Sequence, residues 1–203
     1  TAIGVSIVLQ NVAMMIWGRQ YIPFPDILPH EPIHLGAATF LPVQGVIVGL
    51  SGVLMIGLLL LVHHTRLGRA MRATAQAPSV ARLMGVSVDR VIASTFVIGS
   101  VLAAVAGVMV TANYGQAHAY MGFMLGLKAF SAAVLGGIGN LAGAVVGGLL
   151  LGLIESLGAG YIGDVTGGFL GSQYQDVFAF LVLILVLVFR PSGLLGERLA
   201  DRP

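Results

Sequence analysis

Val43-Gln44-Gly45-Val46-Ile47-Val48-Gly49-Leu50-Ser51-Gly52-Val53-Leu54-Met55-Ile56-Gly57-Leu58-Leu59-Leu60-Leu61-Val62 runs for twenty residues without a charge. As a helix rising 1.5 Å per residue, this stretch covers about 30 Å, the hydrocarbon thickness of a bilayer. Five more apolar segments flank it, at 1–17, 91–112, 122–139, 141–160 and 174–189. Together they predict an all-α, polytopic transmembrane helical domain over 1–203, with about six spans. Only Gly139 and Asn140 separate the fourth segment from the fifth, so these form a tight hairpin or a broken re-entrant pair.

Composition agrees. The chain is 57% hydrophobic and 9% charged, whereas soluble domains carry about 25% charged residues. Its 29 glycines lie within apolar runs, which points to close helix packing in lipid. With no cysteine, disulfides, thiolate metal sites and cysteine nucleophiles are excluded. A net charge of +2 gives no reason to expect a nucleic acid partner. Thr1 opens directly into apolar residues, without an initiator methionine or a basic region before them. This predicts the interior of a helix rather than a signal peptide, and therefore N-terminal helices missing from this stretch.

The charges set an orientation. Loop 63–90 holds five arginines (66, 69, 72, 82 and 90) against Asp89, a net +4. Loop 18–42 holds Arg19 against Asp26 and Glu31, a net −1, and loop 161–173 holds only Asp164. The tail 190–203 nets +1. Lys and Arg stay on the cytoplasmic side. Loop 63–90 and the C-terminus are therefore expected inside, with 18–42, 113–121 and 161–173 outside; six alternating crossings fit that assignment.

Loop 63–90 is too long for a plain helix connection. Ala77-Pro78-Ser79 reads as a helix start, with proline in the first turn. Val80, Leu83 and Met84 form an i, i+3, i+4 apolar stripe, and Gly85 is a C′ stop. Ser87 is placed to cap the next helix, with Asp89 in its first turn. A short amphipathic helix at this level either rests on lipid headgroups or seats in a groove of a cytoplasmic partner.

Three motif groups carry a family resemblance. The first is Gly68-Arg69-Ala70-Met71-Arg72-Ala73-Thr74-Ala75-Gln76, continued by Ala81-Arg82-Leu83-Met84-Gly85-Val86 and Asp89-Arg90-Val91-Ile92. The second is Lys128-Ala129-Phe130, followed by Ala133-Val134-Leu135-Gly136-Gly137-Ile138-Gly139 and Gly143. The third is Arg190-Pro191-Ser192-Gly193-Leu194-Leu195-Gly196. Together they resemble the permease subunits of bacterial branched-chain amino acid ABC importers, from Ile3 to about Gly196. The resemblance implies a multi-pass inner-membrane protein, surrounded by membrane lipid, without a catalytic site or cofactor of its own. It further implies a second permease subunit, two cytoplasmic ABC ATPases and a periplasmic solute-binding protein. The ATPase-coupling residues it implies are Arg72, Ala77, Pro78, Val80, Arg82, Leu83, Met84 and Gly85. A urea or short-amide permease is the alternative solute reading, because related permeases share this loop. The outer loop 18–42 and the stretch 163–171 depart from the family's usual length, on the side where a binding protein docks.

Polar residues within spans are functional candidates, since intramembrane charges are costly. Lys128 lies about 9 Å below the outer end of its segment, and Glu155 about 7.5 Å below the outer end of the next. The matched depth predicts a pair, either structural or beside the path of a zwitterionic solute. Gln10 and Asn11 can bond across helices or line that path. Gly139, Gly143 and Gly147 recur at spacing four, as do Gly148 and Gly152, which predicts close helix faces. Gly136 and Gly137 are the alternative: an unwound stretch exposing carbonyls near the path.

Two motifs lead elsewhere. His30-Glu31-Pro32-Ile33-His34 matches the H-E-x-x-H zinc pattern, but that chemistry needs both histidines on one helix face and Pro32 breaks the helix. Gly49-Leu50-Ser51-Gly52 matches an intramembrane serine protease motif. There the nucleophile needs a histidine base within reach. His63 and His64 lie about 18 Å further along the same helix, leaving His118. Adjacent His63 and His64 point apart on a helix, which favours an interface pair over a metal site.

The orientation is checked with single cysteines at Thr39 and Ser79. In intact cells a membrane-impermeant maleimide is expected to label only Thr39→Cys; labelling of Ser79→Cys overturns it.

Overall fold

A computed structural model describes residues 2–25, 33–35, 38–165 and 174–196. It divides into two compact units, 1–122 and 123–203.

The first unit opens with α1 (Ala2–Trp17), followed by β1 (Ile22–Pro23), β2 (Ile33–Leu35) and β3 (Ala38–Phe40). β2 and β3 form an antiparallel hairpin, with Ile33 opposite Phe40. The unit continues with α2 (Pro42–His64), α3 (Arg66–Gln76), α4 (Pro78–Leu83), α5 (Val88–Tyr114) and β4 (Gln116–Ala117). β4 pairs antiparallel with β1, setting Ile22 opposite Ala117. α2 and α5 are long and apolar enough to cross a membrane. Their large side chains face outward, Val48, Phe96 and Val97 among them. A contiguous apolar exterior of this kind is suited to lipid rather than water.

The α2–α3 corner turns on two residues. Thr65 leaves the helical region; its hydroxyl donates to the Leu61 carbonyl (2.6 Å) and accepts from the Gly68 N–H (3.0 Å), capping α3. Gly68 lies against the Leu61 and Val62 carbonyls, with no room for a Cβ. Sequence reading begins the loop's helical structure only at Ala77, and α3 corrects this. Its signal is Leu67, Ala70, Met71 and Thr74 at helical spacing, with arginines on the other face.

α4 starts with Pro78 in its first turn, after Ala77 in extended conformation. It stops in a Schellman motif: the Val86 N–H donates to the Ala81 carbonyl and the Gly85 N–H to the Arg82 carbonyl, with Gly85 at φ +84°. Ser87 precedes α5 but makes no side-chain cap bond; only its carbonyl is used, by the Val91 N–H. Gly68, Thr74, Ala81, Val88 and Val91 are the buried residues of α3, α4 and α5.

The second unit holds α6 (Met121–Gly136), α7 (Leu141–Val165) and α8 (Gln175–Phe189). α7 is long enough to cross a membrane; α6 and α8, like α1, are apolar but shorter. α7 continues through 161–165, which the sequence reading placed in an outer loop. Residues 166–173, the rest of that loop, lie outside the described residues, as do His30, Glu31 and Pro32. His34 falls in β2, an extended strand and not a helix.

α6 and α7 cross closely through glycine. A Cβ at Gly136 would collide with the Gly143 carbonyl, one at Gly143 with the Gly136 carbonyl, and one at Gly147 with the Ala132 carbonyl. Two glycines of the expected stripes stand apart. Gly139 is in the interhelix turn at φ +93°, and Gly152 faces open space.

This contrast is testable by thermal unfolding of the purified full-length protein. Gly147→Ala is expected to destabilise by about 1–3 kcal/mol, the range for a side chain forced into a packed contact. Gly152→Ala is expected to stay within about 0.5 kcal/mol of the parent. Equal melting temperatures for the two variants would remove the close crossing.

Candidate functional site

The second unit gathers three charges along one seam. Lys128 is on α6, Glu155 on α7, and Asp176 in the first turn of α8, where the helix dipole favours an anion. Lys128 Nζ donates to Glu155 Oε2 at 2.9 Å. The same Nζ lies 2.8 Å from Asp176 Oδ1, so one ammonium bridges both carboxylates. All three side chains are between one-fifth and one-third exposed. Two carboxylates around one ammonium leave the triad at net −1.

Directly along the seam lies an apolar cluster of Ala132, Leu151 and Ala179. These residues are four after Lys128, four before Glu155 and three after Asp176, one turn further along the same helix faces. The signs alternate because the helices alternate in direction. The charges therefore sit on top of a closely packed contact, which limits their rearrangement.

Sequence reading anticipates Lys128 and Glu155 but counts only two intramembrane charges. Asp176 is the third. Its signal is its place two residues inside the last apolar segment, about 3 Å from the segment's end.

The remaining candidates are placed as follows. Gln10 donates to Ser6 Oγ (3.2 Å) and Asn11 to the Ile7 carbonyl (2.8 Å), both one turn back on α1. The Gly136 carbonyl accepts from the Leu195 N–H and the Gly137 carbonyl from the Asn140 N–H, so these carbonyls are engaged within the chain. On α4, Ala81 is buried while Val80, Leu83 and Met84 are 55%, 87% and 80% exposed. Arg82 reaches Asp89 of the same chain at 3.3 Å, an exposed pair worth at most about 1 kcal/mol. Arg72 is exposed. Ser51 lies within α2, and His63 Nδ1 is engaged by the Leu59 carbonyl at 3.0 Å.

Apolar helices of spanning length, a lipid-suited exterior and a charge cluster within a helix seam define an α-helical membrane protein. Over residues 1–187 the chain matches the family described as branched-chain amino acid transport system / permease component, and it belongs to that family. It is 43% identical over 202 residues to the high-affinity branched-chain amino acid transport system permease protein LivH of Salmonella typhimurium, covering 97% of this chain and 63% of that protein. It is 44% identical over 201 residues to the corresponding protein BraD of Pseudomonas aeruginosa, with the same coverage. A probable LivH of Methanocaldococcus jannaschii is 33% identical over 144 residues, 70% of this chain and 45% of that one. The chain thus spans less than two thirds of the length of these relatives. No solved structure matches it.

The triad orders its own variants. Lys128→Met leaves two neighbouring carboxylates without a counter-charge and is expected to lower the melting temperature most. Asp176→Asn keeps a balanced Lys128–Glu155 pair and is expected to lower it least. The double variant Lys128→Met/Glu155→Gln is expected to be more stable than Lys128→Met alone, because it leaves one uncompensated carboxylate in place of two that repel each other. Thermal unfolding of the four proteins checks the order.

Proposed function

We propose that this chain is part of the membrane-spanning permease subunit of an ABC importer for branched-chain, hydrophobic amino acids. The relatives are transport permeases, and three of the chain's apolar helices are of membrane-spanning length; on our reading the chain crosses a bacterial inner membrane six times, with loop 63–90 and the C-terminus in the cytoplasm. The 1–203 stretch acts as one permease domain. It forms a gated path and does no chemistry of its own. Two cytoplasmic ATPases supply the energy, a second permease subunit completes the path, and a periplasmic binding protein delivers the solute. In the second unit Lys128 and Glu155, with Asp176, are the candidates for contact with the solute; in the first, Gln10 and Asn11 on α1 are.

The observation that carries this reading is the two-sidedness of α4. Ala81 is buried against its own chain, while Val80, Leu83 and the capping Met84 are bare. A Schellman turn fixes the helix in that pose. An apolar stripe held outward on six residues is suited to a complementary groove, which we assign to an ATPase subunit. The arginines at its flanks, Arg72 and Arg82, contribute orientation and specificity more than affinity.

Leu83→Asp tests it in the reconstituted importer. Transport and solute-stimulated ATP hydrolysis are expected to fall at least about tenfold, the effect of losing some 1.4 kcal/mol of coupling, while membrane insertion is unchanged. Undiminished transport with the ATPase still co-purifying would reduce α4 to a surface element and remove this support.

A further inference from the structure

The first unit contains a cavity of about 300 Å³ where α1 ends and β1 meets β4. That volume is at the lower end of small-molecule sites. It lies at the end of α5 remote from the arginine-rich loop, since α5 leaves that loop at Val88 and reaches β4 at Gln116. On the proposed orientation this is the outer face.

Its lining has three kinds of surface. Ala13, Ile22 and Ala117 supply apolar wall, and Trp17 a large aromatic one. The pairing of Ile22 with Ala117 holds two of these walls in register, and the Phe24 N–H bonded to the Gly115 carbonyl (2.9 Å) extends the clip. The second surface is the C-terminal end of α1. Gly18, at φ +86°, terminates the helix with its N–H on the Met14 carbonyl, and Trp17 and Gly18 both line the cavity. A helix C-terminus carries about half a negative charge and favours a cation.

The third surface is polar and comes from Gln20 and His118. The His118 ring is held against Tyr21, at 4.6 Å between centroids, and Tyr120, at 5.4 Å. Its Nδ1 accepts from the Tyr120 N–H at 3.3 Å. With Nδ1 used as acceptor, the neutral ring carries its proton on Nε2, as a donor. Gln20 adds amide donors. The cavity therefore offers a cation-favouring end, anion-favouring donors and apolar walls.

We infer that this cavity is an outer receiving site for a free zwitterionic amino acid with an apolar side chain. The ammonium meets the end of α1, the carboxylate meets His118 and Gln20, and the side chain packs among Ala13, Trp17, Ile22 and Ala117. The inference rests on the permease reading above and adds to it a location and a recognition chemistry distinct from the Lys128 triad.

Trp17 is the single tryptophan of this chain, so its fluorescence reports on the cavity. The experiment uses the complete transporter with every other tryptophan replaced by phenylalanine. It is titrated with leucine, with 3-methylbutylamine, which lacks the carboxylate, and with 4-methylpentanoate, which lacks the ammonium. Leucine is expected to change Trp17 emission saturably, with a midpoint at least about tenfold below either analogue, a difference of about 1.4 kcal/mol. Ala117→Phe fills the cavity and is expected to abolish the response. His118→Phe keeps the aromatic stack, removes the donor, and is expected to erase the preference for leucine over the amine. A transporter that imports leucine with no leucine-dependent change at Trp17, or with equal midpoints for the three probes, overturns the cavity and leaves the permease reading standing. A complete transporter that imports no leucine with its binding protein overturns the permease reading, and the cavity falls with it.

Discussion

A backbone carbonyl with no partner is costly in lipid, because no water is present to satisfy it. The second unit meets that constraint at one place on which its packing depends. α6 ends at Gly136, leaving the carbonyls of its last turn without helical donors. The Leu194 N–H takes the Leu135 carbonyl and the Leu195 N–H takes that of Gly136, both at 2.9 Å. Asn140 ties the other strand of the knot. Its side chain caps α7 by accepting from the Gly143 N–H (3.0 Å) and donates to the Leu195 carbonyl (2.9 Å). Gly137 and Gly193 permit this approach: a Cβ on Gly193 would meet the Gly137 backbone, one on Gly137 would meet the Gly196 backbone, and both have positive φ. The segment after α8 is thereby stapled across the turn joining α6 to α7, which fixes the three helix ends together.

From that staple the seam runs through the glycine crossing, then Ala132, Leu151 and Ala179, to the charge triad. The order has an energetic sense. Small residues bring the helices close at one end, so the long Lys128 side chain spans to both neighbours at the other. Ion pairs of this kind contribute less to stability than to a unique arrangement, since desolvation offsets much of the attraction. An excess carboxylate makes the triad more sensitive to surrounding charge than a simple pair.

The apolar helices were legible because lipid demands long uncharged runs; each of the six apolar segments corresponds to a helix, and α2, α5 and α7 are long enough to cross a membrane. Pro78 and Gly85 were legible for the same kind of reason, since each has a narrow conformational use. α3 was not, because its arginines dominate the composition and hide the Leu67–Thr74 stripe. Lys128 and Glu155 could be paired from depth alone, as charges in an apolar run are conspicuous. Asp176 escaped because it stands at the edge of its segment, where a charge looks like the start of a loop. The cavity beside β1 and β4 had no sequence signature, since its lining comes from residues about a hundred positions apart whose meeting depends on a two-residue strand pair. The glycine stripes were half legible: spacing identifies a face, but only the neighbouring backbone shows that Gly147 is packed and Gly152 is open.

The staple also has a consequence in time. Asn140 and Leu195 are 55 residues apart in the chain, and a ribosome makes them in that order. When the α6–α7 hairpin first leaves the translocation machinery, the Leu135 and Gly136 carbonyls have no donor, and none arrives until α8 and the segment behind it have been synthesised. For that interval the hairpin is an incomplete guest in the bilayer, held at its turn by the translocon or by water at the interface. Translation arrested just after α8 leaves a product whose helices are all present but whose turn is unsatisfied, a natural target for membrane quality control.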